Sequence, residues 1–163
     1  TAQAALNGAY SALQSTSYYG LSLLMMGDLS ADNAVWTGTF QYLGDAMRNE
    51  LQTDNAEVTS LWTQIYRQID RDNVILARVP QVTGIPDAVR NDVLGQAHLL
   101  RALSYHNLAK LWGAVPMPLA PAASPTEAAT YTRTPVEQVY TQILADLDRA
   151  QQLIANTTNT RYG

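Results

Sequence analysis

The chain has 163 residues, a net charge of −4 and a hydrophobic content of 47%. Its length suits one domain, and its apolar content suits a globular core. The ten basic residues include a single lysine, which offers no basic stripe for a phosphate backbone, so we exclude a nucleic-acid partner. The absence of cysteine excludes disulfides and thiolate metal sites.

Only 15% of the residues are charged, which is below the typical proportion of roughly a quarter. The polar surface must therefore be rich in glutamine, asparagine, threonine and serine. Such a surface suits a protein that meets neutral polar ligands, and it equally suits one that is covered by another chain. No apolar run approaches the roughly 20 residues that span a bilayer.

The first part of the chain predicts two helices. From Thr1 to Ser15, apolar residues recur at helical spacing. We expect one buried face made of Ala2, Ala5, Leu6, Ala9 and Leu13. A second, short helix is predicted to start at Tyr18 and to end near Gly27. Its expected inward residues are Leu21, Leu24 and Met25.

The segment from Asp28 to Asn55 lacks helical periodicity and is rich in aspartate, asparagine, threonine and glycine. These residues hydrogen-bond locally or permit turns, so we predict a long loop with one helical turn inside it. A loop of this length in a compact domain usually has a function.

This loop is the candidate ligand site. It carries aromatic rings, which stack on the C–H faces of sugars, and amides and carboxylates, which hydrogen-bond to sugar hydroxyls. The predicted ligand-binding residues are Asp32, Asn33, Trp36, Gln41 and Tyr42, with Phe40 as a further aromatic neighbour. The alternative is that the rings anchor the loop to the core. Solvent-facing rings would favour a ligand site, and buried rings would favour a scaffold.

A long helix is predicted from Val58 to Val79, and Asn73 interrupts its apolar stripe. A buried amide needs partners, so we expect Asn73 to bond to the backbone of an adjacent loop. The short connection after Pro80 leads to the next helix near Asp87. Two long helices joined in this way are expected to be antiparallel neighbours.

That next helix is predicted to be the most buried one. Gly113 is expected to end it, because glycine tolerates the left-handed conformation found at helix C-termini. Arg101 lies in its middle and needs a carboxylate partner to be tolerated there. Candidate partners are Asp70, Asp72 and Asp146. The small and apolar residues on its buried face are Val93, Ala97, Leu100, Ser104, Leu108 and Leu111.

The last helix is predicted to open at the sequence TRTPVE. Thr134 would be its N-cap, Pro135 its first residue, and Glu137 would close a capping box. Its apolar stripe is Val136, Val139, Tyr140, Ile143, Leu147, Ala150 and Ile154.

Few residues could carry catalysis. His98 and His106 stand eight positions apart, unlike a helical metal pair one turn apart, and we expect each to be a partly buried hydrogen-bonding residue. No phosphate-binding glycine loop, serine–histidine–aspartate order or catalytic carboxylate pair can be identified. We therefore predict no catalytic residue, no metal and no cofactor, and we expect that the protein is not an enzyme.

The segment GQAHLLRALSYHNLAKLWGAVPMPL, residues 95–119, resembles the signature of the SusD/RagB family. The match is a small-residue helix with Leu-Arg-Ala at 100–102, then Tyr105 and Leu108, and an aromatic-Gly pair before Val-Pro-x-Pro. The segments LWTQIYRQIDRDNVIL (61–76) and PVEQVYTQILADLDRAQQLI (135–154) resemble the family's preceding and following helices, in the same order.

This resemblance implies an all-α fold in which antiparallel helix pairs stack as tetratricopeptide-like repeats. The long loop would lie between the first and second helix pairs. We predict a single helical-repeat domain over residues 1–163, as the N-terminal part of a longer SusD-like protein.

The resemblance also implies a nutrient-binding lipoprotein of the outer-membrane surface. Such a protein captures an oligosaccharide, or less often a peptide, and delivers it to a SusC-like TonB-dependent transporter. The family's lipidated cysteine is absent from this chain, so membrane attachment is expected only through an anchor outside it. Two alternatives stay open: a helical-repeat scaffold that binds proteins, and a periplasmic solute-binding module.

Overall fold

A computed structural model describes residues 1–154, and this part of the chain contains seven α-helices and one two-stranded sheet. The helices are α1 (Ala2–Leu13), α2 (Ser22–Ser30), α3 (Gln41–Met47), α4 (Ala56–Arg78), α5 (Asp87–Trp112), α6 (Pro125–Ala128) and α7 (Val136–Ile154). Strand β1 (Val115–Pro116) pairs antiparallel with β2 (Arg133–Thr134), with Val115 opposite Thr134. The prediction of an all-α fold is confirmed.

The chain groups into two compact units. The helical unit consists of Thr1–Ala9 and the chain from Arg67 onward, and the loop unit consists of Tyr10–Tyr66. Helices α1 and α4 each run across the boundary. The single domain over 1–163 stays a prediction.

In the helical unit, α5 and α7 pack along each other in opposite directions. Gly95 lies beside Ile154 at one end, and further along the pair the His106 and Tyr140 rings meet edge to face with centroids 6.1 Å apart. A Cβ at Gly95 would lie 2.7 Å from Ile154 Cγ1, which is much shorter than a normal van der Waals contact between two carbon atoms. Glycine at this position therefore permits the close approach of the two helices.

The predicted buried face of α5 is largely correct. Of the six residues predicted for this face, five are buried, but Leu111 is 42% exposed. Gly113 ends the helix as predicted, with φ of 68° and its N–H donating to the Ala109 carbonyl at 2.9 Å. The left-handed φ is the conformation that glycine adopts at little cost.

The predicted stripe of α7 is too wide. Two of its predicted residues, Tyr140 and Leu147, are each 39% exposed, and the neighbouring Leu144 is 60% exposed. The buried face is narrow because, within the helical unit, α7 packs mainly against the single helix α5. The helix also begins at Val136, one residue later than predicted, and Thr134 lies in β2 rather than at an N-cap. The residues that α7 does bury are Val139, Ile143, Asp146, Ala150 and Leu153.

Arg101 finds its carboxylate partner on α7. Its Nε donates to Asp146 Oδ2 at 2.9 Å and its Nη2 to Asp146 Oδ1 at 2.7 Å, which selects one of the three predicted candidates. His98 Nδ1 lies 2.7 Å from the same Oδ1 atom. Burial opposes the ionisation of Asp146, but the hydrogen bonds from His98 and Arg101 and the guanidinium charge outweigh it and lower its pKa.

Asn73 bonds to a neighbouring backbone segment, as predicted. Its Nδ2 donates to the Pro118 and Ala120 carbonyls at 3.0 and 3.2 Å, and its Oδ1 accepts from Arg101 Nη1 at 2.8 Å. Arg101 Nη1 also donates to the Leu119 carbonyl at 3.2 Å. Three consecutive carbonyls, 118–120, are thus held by two buried side chains.

Helices α4 and α5 run in opposite directions where they meet. Arg101 of α5 reaches Asn73 of α4, whereas Arg90, near the start of α5, donates to the carbonyls of Val79 and Pro80, just past the end of α4. The predicted antiparallel arrangement of these two helices is confirmed.

The loop unit differs from prediction at α2. This helix begins at Ser22 and ends at Ser30, and it buries Ser22, Met26 and Leu29. Leu21 and Leu24, which were expected to face inward, are 42% and 55% exposed. Met25, the third predicted inward residue, is partly buried against the cluster of Met26, Leu29, Leu43 and Ala46, as expected. The prediction was wrong for the two leucines because a polar anchor sets the face of the helix: the Ser22 hydroxyl bonds to the Thr16 carbonyl at 2.8 Å and to the Glu57 carboxylate.

Candidate functional site

The predicted site lies in the loop unit, between α2 and α4. The segment 28–55 contains the last turn of α2 and the seven-residue helix α3, so it is more helical than predicted. Asp32 follows α2 with φ of 59°, a left-handed conformation that aspartate tolerates better than most residues. The Asn33 N–H donates to the Asp28 carbonyl at 2.9 Å, which closes the turn. The side chains of Asp32 and Asn33 are exposed.

Three aromatic rings form a row in this loop. The Trp36 and Phe40 rings have centroids 5.9 Å apart, the Phe40 and Tyr42 rings 5.5 Å apart, and each pair is inclined by only 14°. Phe40 is the central ring of this aromatic row and is 55% exposed. The row therefore presents an apolar surface to solvent through Phe40, which the predicted list of ligand-binding residues did not include.

Trp36 ties one end of the row to the core of the loop unit. Its ring packs against the cluster made of Met26, Leu29, Leu43 and Ala46. Its backbone N–H donates to Met47 Sδ at 3.3 Å. The indole Nε1 is buried without a hydrogen-bond partner among the described residues. Trp36 thus serves mainly as an anchor, and its indole N–H is not presented to a ligand in this conformation.

The path of the loop around Trp36 requires a glycine. A Cβ at Gly38 would stand 2.2 Å from the Trp36 ring. No side chain fits in that space unless the ring moves, so Gly38 lets the chain pass beside the indole before it reaches Phe40.

Asn55 holds the other end of the row. Its Nδ2 donates to the Tyr42 carbonyl at 3.1 Å, and its Oδ1 accepts from the N–H groups of Glu57 and Val58 at 3.0 and 3.2 Å. The second set of bonds caps the N-terminus of α4. One buried amide therefore joins the cap of a long helix to the backbone of the aromatic row, and the predicted list did not contain it.

The structure brings some of the predicted residues together and leaves others apart. Trp36 and Tyr42 are joined through Phe40, and Gln41 is exposed between Phe40 and Tyr42 at the start of α3. Asp32 and Asn33 are exposed just past the end of α2.

The helical unit contains an open cleft of about 560 Å³. One wall is the segment 117–120, whose carbonyls are bonded from behind by Asn73 and Arg101 and by the hydroxyl of Tyr105. The opposite wall is the segment 130–134, where Tyr131 donates to Glu127 Oε1 at 3.1 Å. The cleft is mostly apolar, with three threonines on its rim.

Residues 1–154 contain neither a candidate membrane-spanning helix nor a candidate metal site. No helix there combines the length and the apolar character that crossing a bilayer requires. The same residues contain no group of three or more histidine, aspartate or glutamate side chains placed to hold a metal ion.

One family of known proteins matches almost the whole chain. The SusD-like family model, described as starch-binding and associating with the outer membrane, matches residues 3–162. SusD-like protein P2 of Formosa agariphila is 29% identical in an alignment 163 residues long, which covers 98% of this chain and 32% of that protein. SusD-like protein P25 of the same organism is 29% identical over 160 residues, covering 93% and 30% of the two chains. The chain thus spans about a third of the length of these curated relatives.

Solved structures agree with the family match. The surface glycan-binding protein A from Bacteroides uniformis is 28% identical with a TM-score of 0.78, and the match covers 93% of this chain and 34% of that one. A laminarin-binding SusD-like protein, at 24% identity and a TM-score of 0.82, covers 93% and 33% of the two chains and shows the same fold. The chain belongs to the SusD-like family, whose members are described as starch-binding and as associating with the outer membrane.

Proposed function

We propose that the protein captures an oligosaccharide at the outer-membrane surface and delivers it to a SusC-like TonB-dependent transporter. In this role it is a nutrient-binding component and not an enzyme. Family membership supports the role, as does the relative from Bacteroides uniformis, which is named as a surface glycan-binding protein. Attachment to the membrane would use a lipid anchor outside this chain.

The observation that carries the glycan proposal is the aromatic row with Phe40 exposed at its centre. A phenyl ring has no hydrogen-bonding group, so it offers a purely apolar surface that suits the C–H face of a sugar. Within the same loop, the exposed side chains of Asp32, Asn33 and Gln41 supply the donors and acceptors that sugar hydroxyls need.

The proposed ligand residues divide into two roles. Phe40, Gln41, Asp32 and Asn33 would contact the ligand because they are exposed. Trp36 and Tyr42 are half-buried and flank Phe40, so they would fix the orientation of its ring and contribute only their outer edges. A peptide is the alternative ligand, since the same groups can stack on and hydrogen-bond to a peptide backbone.

The test is a titration of the full-length protein with laminarin, soluble starch and a mixture of short peptides, with tryptophan fluorescence as the signal. We expect saturable binding to a glycan, which Phe40→Ala weakens by up to about tenfold, because an aromatic contact is worth about 0.5–1.5 kcal/mol. Val35→Ala is the matched control: Val35 is 75% exposed in the same loop but carries no ring.

Three outcomes distinguish a glycan site at the aromatic row from a glycan site elsewhere and from a peptide ligand. Loss of glycan binding in Phe40→Ala but not in Val35→Ala supports the proposal. Glycan binding that neither variant alters places the site outside the aromatic row. If no glycan binds, the capture of oligosaccharide is wrong, and binding of the peptides alone would identify the peptide as the ligand.

A further inference from the structure

A pair of buried polar side chains on α4 is left with two unpaired oxygens. Gln68 and Asp72 stand one helical turn apart and are both fully buried. Gln68 Nε2 donates to Asp72 Oδ1 at 2.9 Å. The second oxygen of each side chain, Gln68 Oε1 and Asp72 Oδ2, is buried with no hydrogen-bond partner among residues 1–154. An unpaired polar atom in this position is costly, so both atoms require an explanation.

Both unpaired atoms are acceptors when Asp72 is ionised, so neither can satisfy the other. A proton on Oδ2 changes this, because a protonated carboxyl both donates and accepts. We propose that Asp72 is a neutral acid in the folded protein and that its Oδ2–H donates to Gln68 Oε1. The two side chains then form a ring of two hydrogen bonds, and the release of this proton is a pH-sensitive switch on the packing of α4.

The charges that face Asp72 come from three helices. Arg71 is its neighbour on α4, and the charges of Arg101 on α5 and of Asp146 on α7 also act on it. The guanidinium of Arg101 already bonds to both oxygens of Asp146. A second carboxylate beside this pair would therefore be a buried charge without a partner of its own, which favours the neutral form of Asp72.

The titration of Asp72 agrees with this geometry. Burial raises its pKa from 3.8 to about 8, although the hydrogen bond from Gln68 and the charge of Arg101 act in the opposite direction. Folding therefore takes up a proton between these two pH values. The stability from this pair is complete below pH 3.8 and is lost as the pH rises to about 8. Across this window, the unfolding constant is expected to rise about tenfold for each pH unit.

The test uses Asp72→Asn in the whole 163-residue chain. An asparagine can accept from Gln68 Nε2 and donate to Gln68 Oε1, so it reproduces the neutral pair but does not titrate. We expect the variant to fold and the ratio of wild-type to variant unfolding constants to rise about tenfold per pH unit. Asp70→Asn, at an exposed position on the same helix, is the control and should leave the pH profile unchanged.

The protonation state can also be read directly from the carboxyl carbon resonance of Asp72 in a ¹³C NMR titration. A midpoint near 8 supports the neutral acid, and a midpoint near 3.8 overturns it. Ser104→Ala tests the identity of the acceptor, because the Ser104 hydroxyl is also buried without a partner in the described part of the chain. An unchanged midpoint in this variant supports the pairing with Gln68, and a shifted midpoint overturns it.

Discussion

The two units of the chain use the same kinds of polar side chain in different ways. In the helical unit, the pair Arg101–Asp146 leaves only 6% and 2% of the two side chains exposed. In the loop unit, the pair Arg48–Asp45 leaves 48% and 13% exposed. The first pair is part of a core, whereas in the second the guanidinium of Arg48 is half exposed, so water competes for its charge.

The hydrophobic side chains show the same contrast. In α5 the ring of Tyr105 and the aliphatic side chain of Leu108 are fully buried, whereas the aromatic row of the loop unit exposes more than half of Phe40. A region that buries its charges and a region that exposes its rings serve different purposes. We infer that the helical unit acts as the scaffold and that the loop unit is the part available to a ligand.

The largest expected effect comes from breaking the buried ion pair. Arg101→Met leaves the Asp146 carboxylate buried with only His98 beside it, and we expect a loss of about 3–5 kcal/mol in the free energy of unfolding. Arg48→Met in the loop unit should cost less than about 1 kcal/mol. Chemical denaturation of both variants measures the difference. Equal losses would show that the two pairs are equivalent and would remove the distinction between the units.

Two glycine-to-alanine substitutions in helices are expected to change the free energy of unfolding by smaller amounts and with opposite signs. Gly95→Ala places a methyl group against Ile154, and we expect a net loss of about 1–2 kcal/mol after the better helix propensity of alanine is included. Gly27→Ala, in α2 of the loop unit, meets no atom within 4 Å and should gain about 0.5–1 kcal/mol. Thermal denaturation tests both signs, and a stabilising Gly95→Ala would contradict the close helix crossing.

A third pair of variants separates stability from ligand binding within the loop unit. Asn55→Ala removes the cap of α4 and should cost about 1 kcal/mol. Asn55→Asp keeps the N-cap oxygen but sets a carboxylate oxygen against the Tyr42 carbonyl, so we expect the cap to remain, the loss of stability to come from this one bond, and the glycan affinity to weaken. The same denaturation and titration experiments measure both quantities. An unchanged affinity in Asn55→Asp would show that this bond does not position the row.

The helical unit could be predicted from the sequence in some detail because its determinants are local. The spacing of small and apolar residues defined the buried face of α5, and Gly113 defined its end. A lone amide in an apolar stripe and a lone guanidinium in a buried helix each demand a partner, which is why the bonds of Asn73 and Arg101 could be anticipated. The choice of Asp146 over Asp70 and Asp72 needed the three-dimensional structure.

The loop unit could be predicted only by residue type. The face of α2 depends on the contact of Ser22 with Glu57, which lies 35 residues away along the chain, so hydrophobicity alone selected the wrong side chains. The row through Phe40 depends on the space beside Gly38 and on the anchor at Asn55. Neither constraint follows from local periodicity, and the assignment of the ligand residues stays a prediction.

Asn73 and Arg101 bind the segment 118–120 through its peptide carbonyls, which every amino acid possesses. Side chains along this wall of the cleft can therefore be exchanged during evolution without loss of the bonds that hold it in place. Asn73 and Arg101, in contrast, supply the donors themselves, so a change at either position removes bonds from this wall. The position of the wall therefore depends on these two side chains and not on the side chains that the wall itself carries.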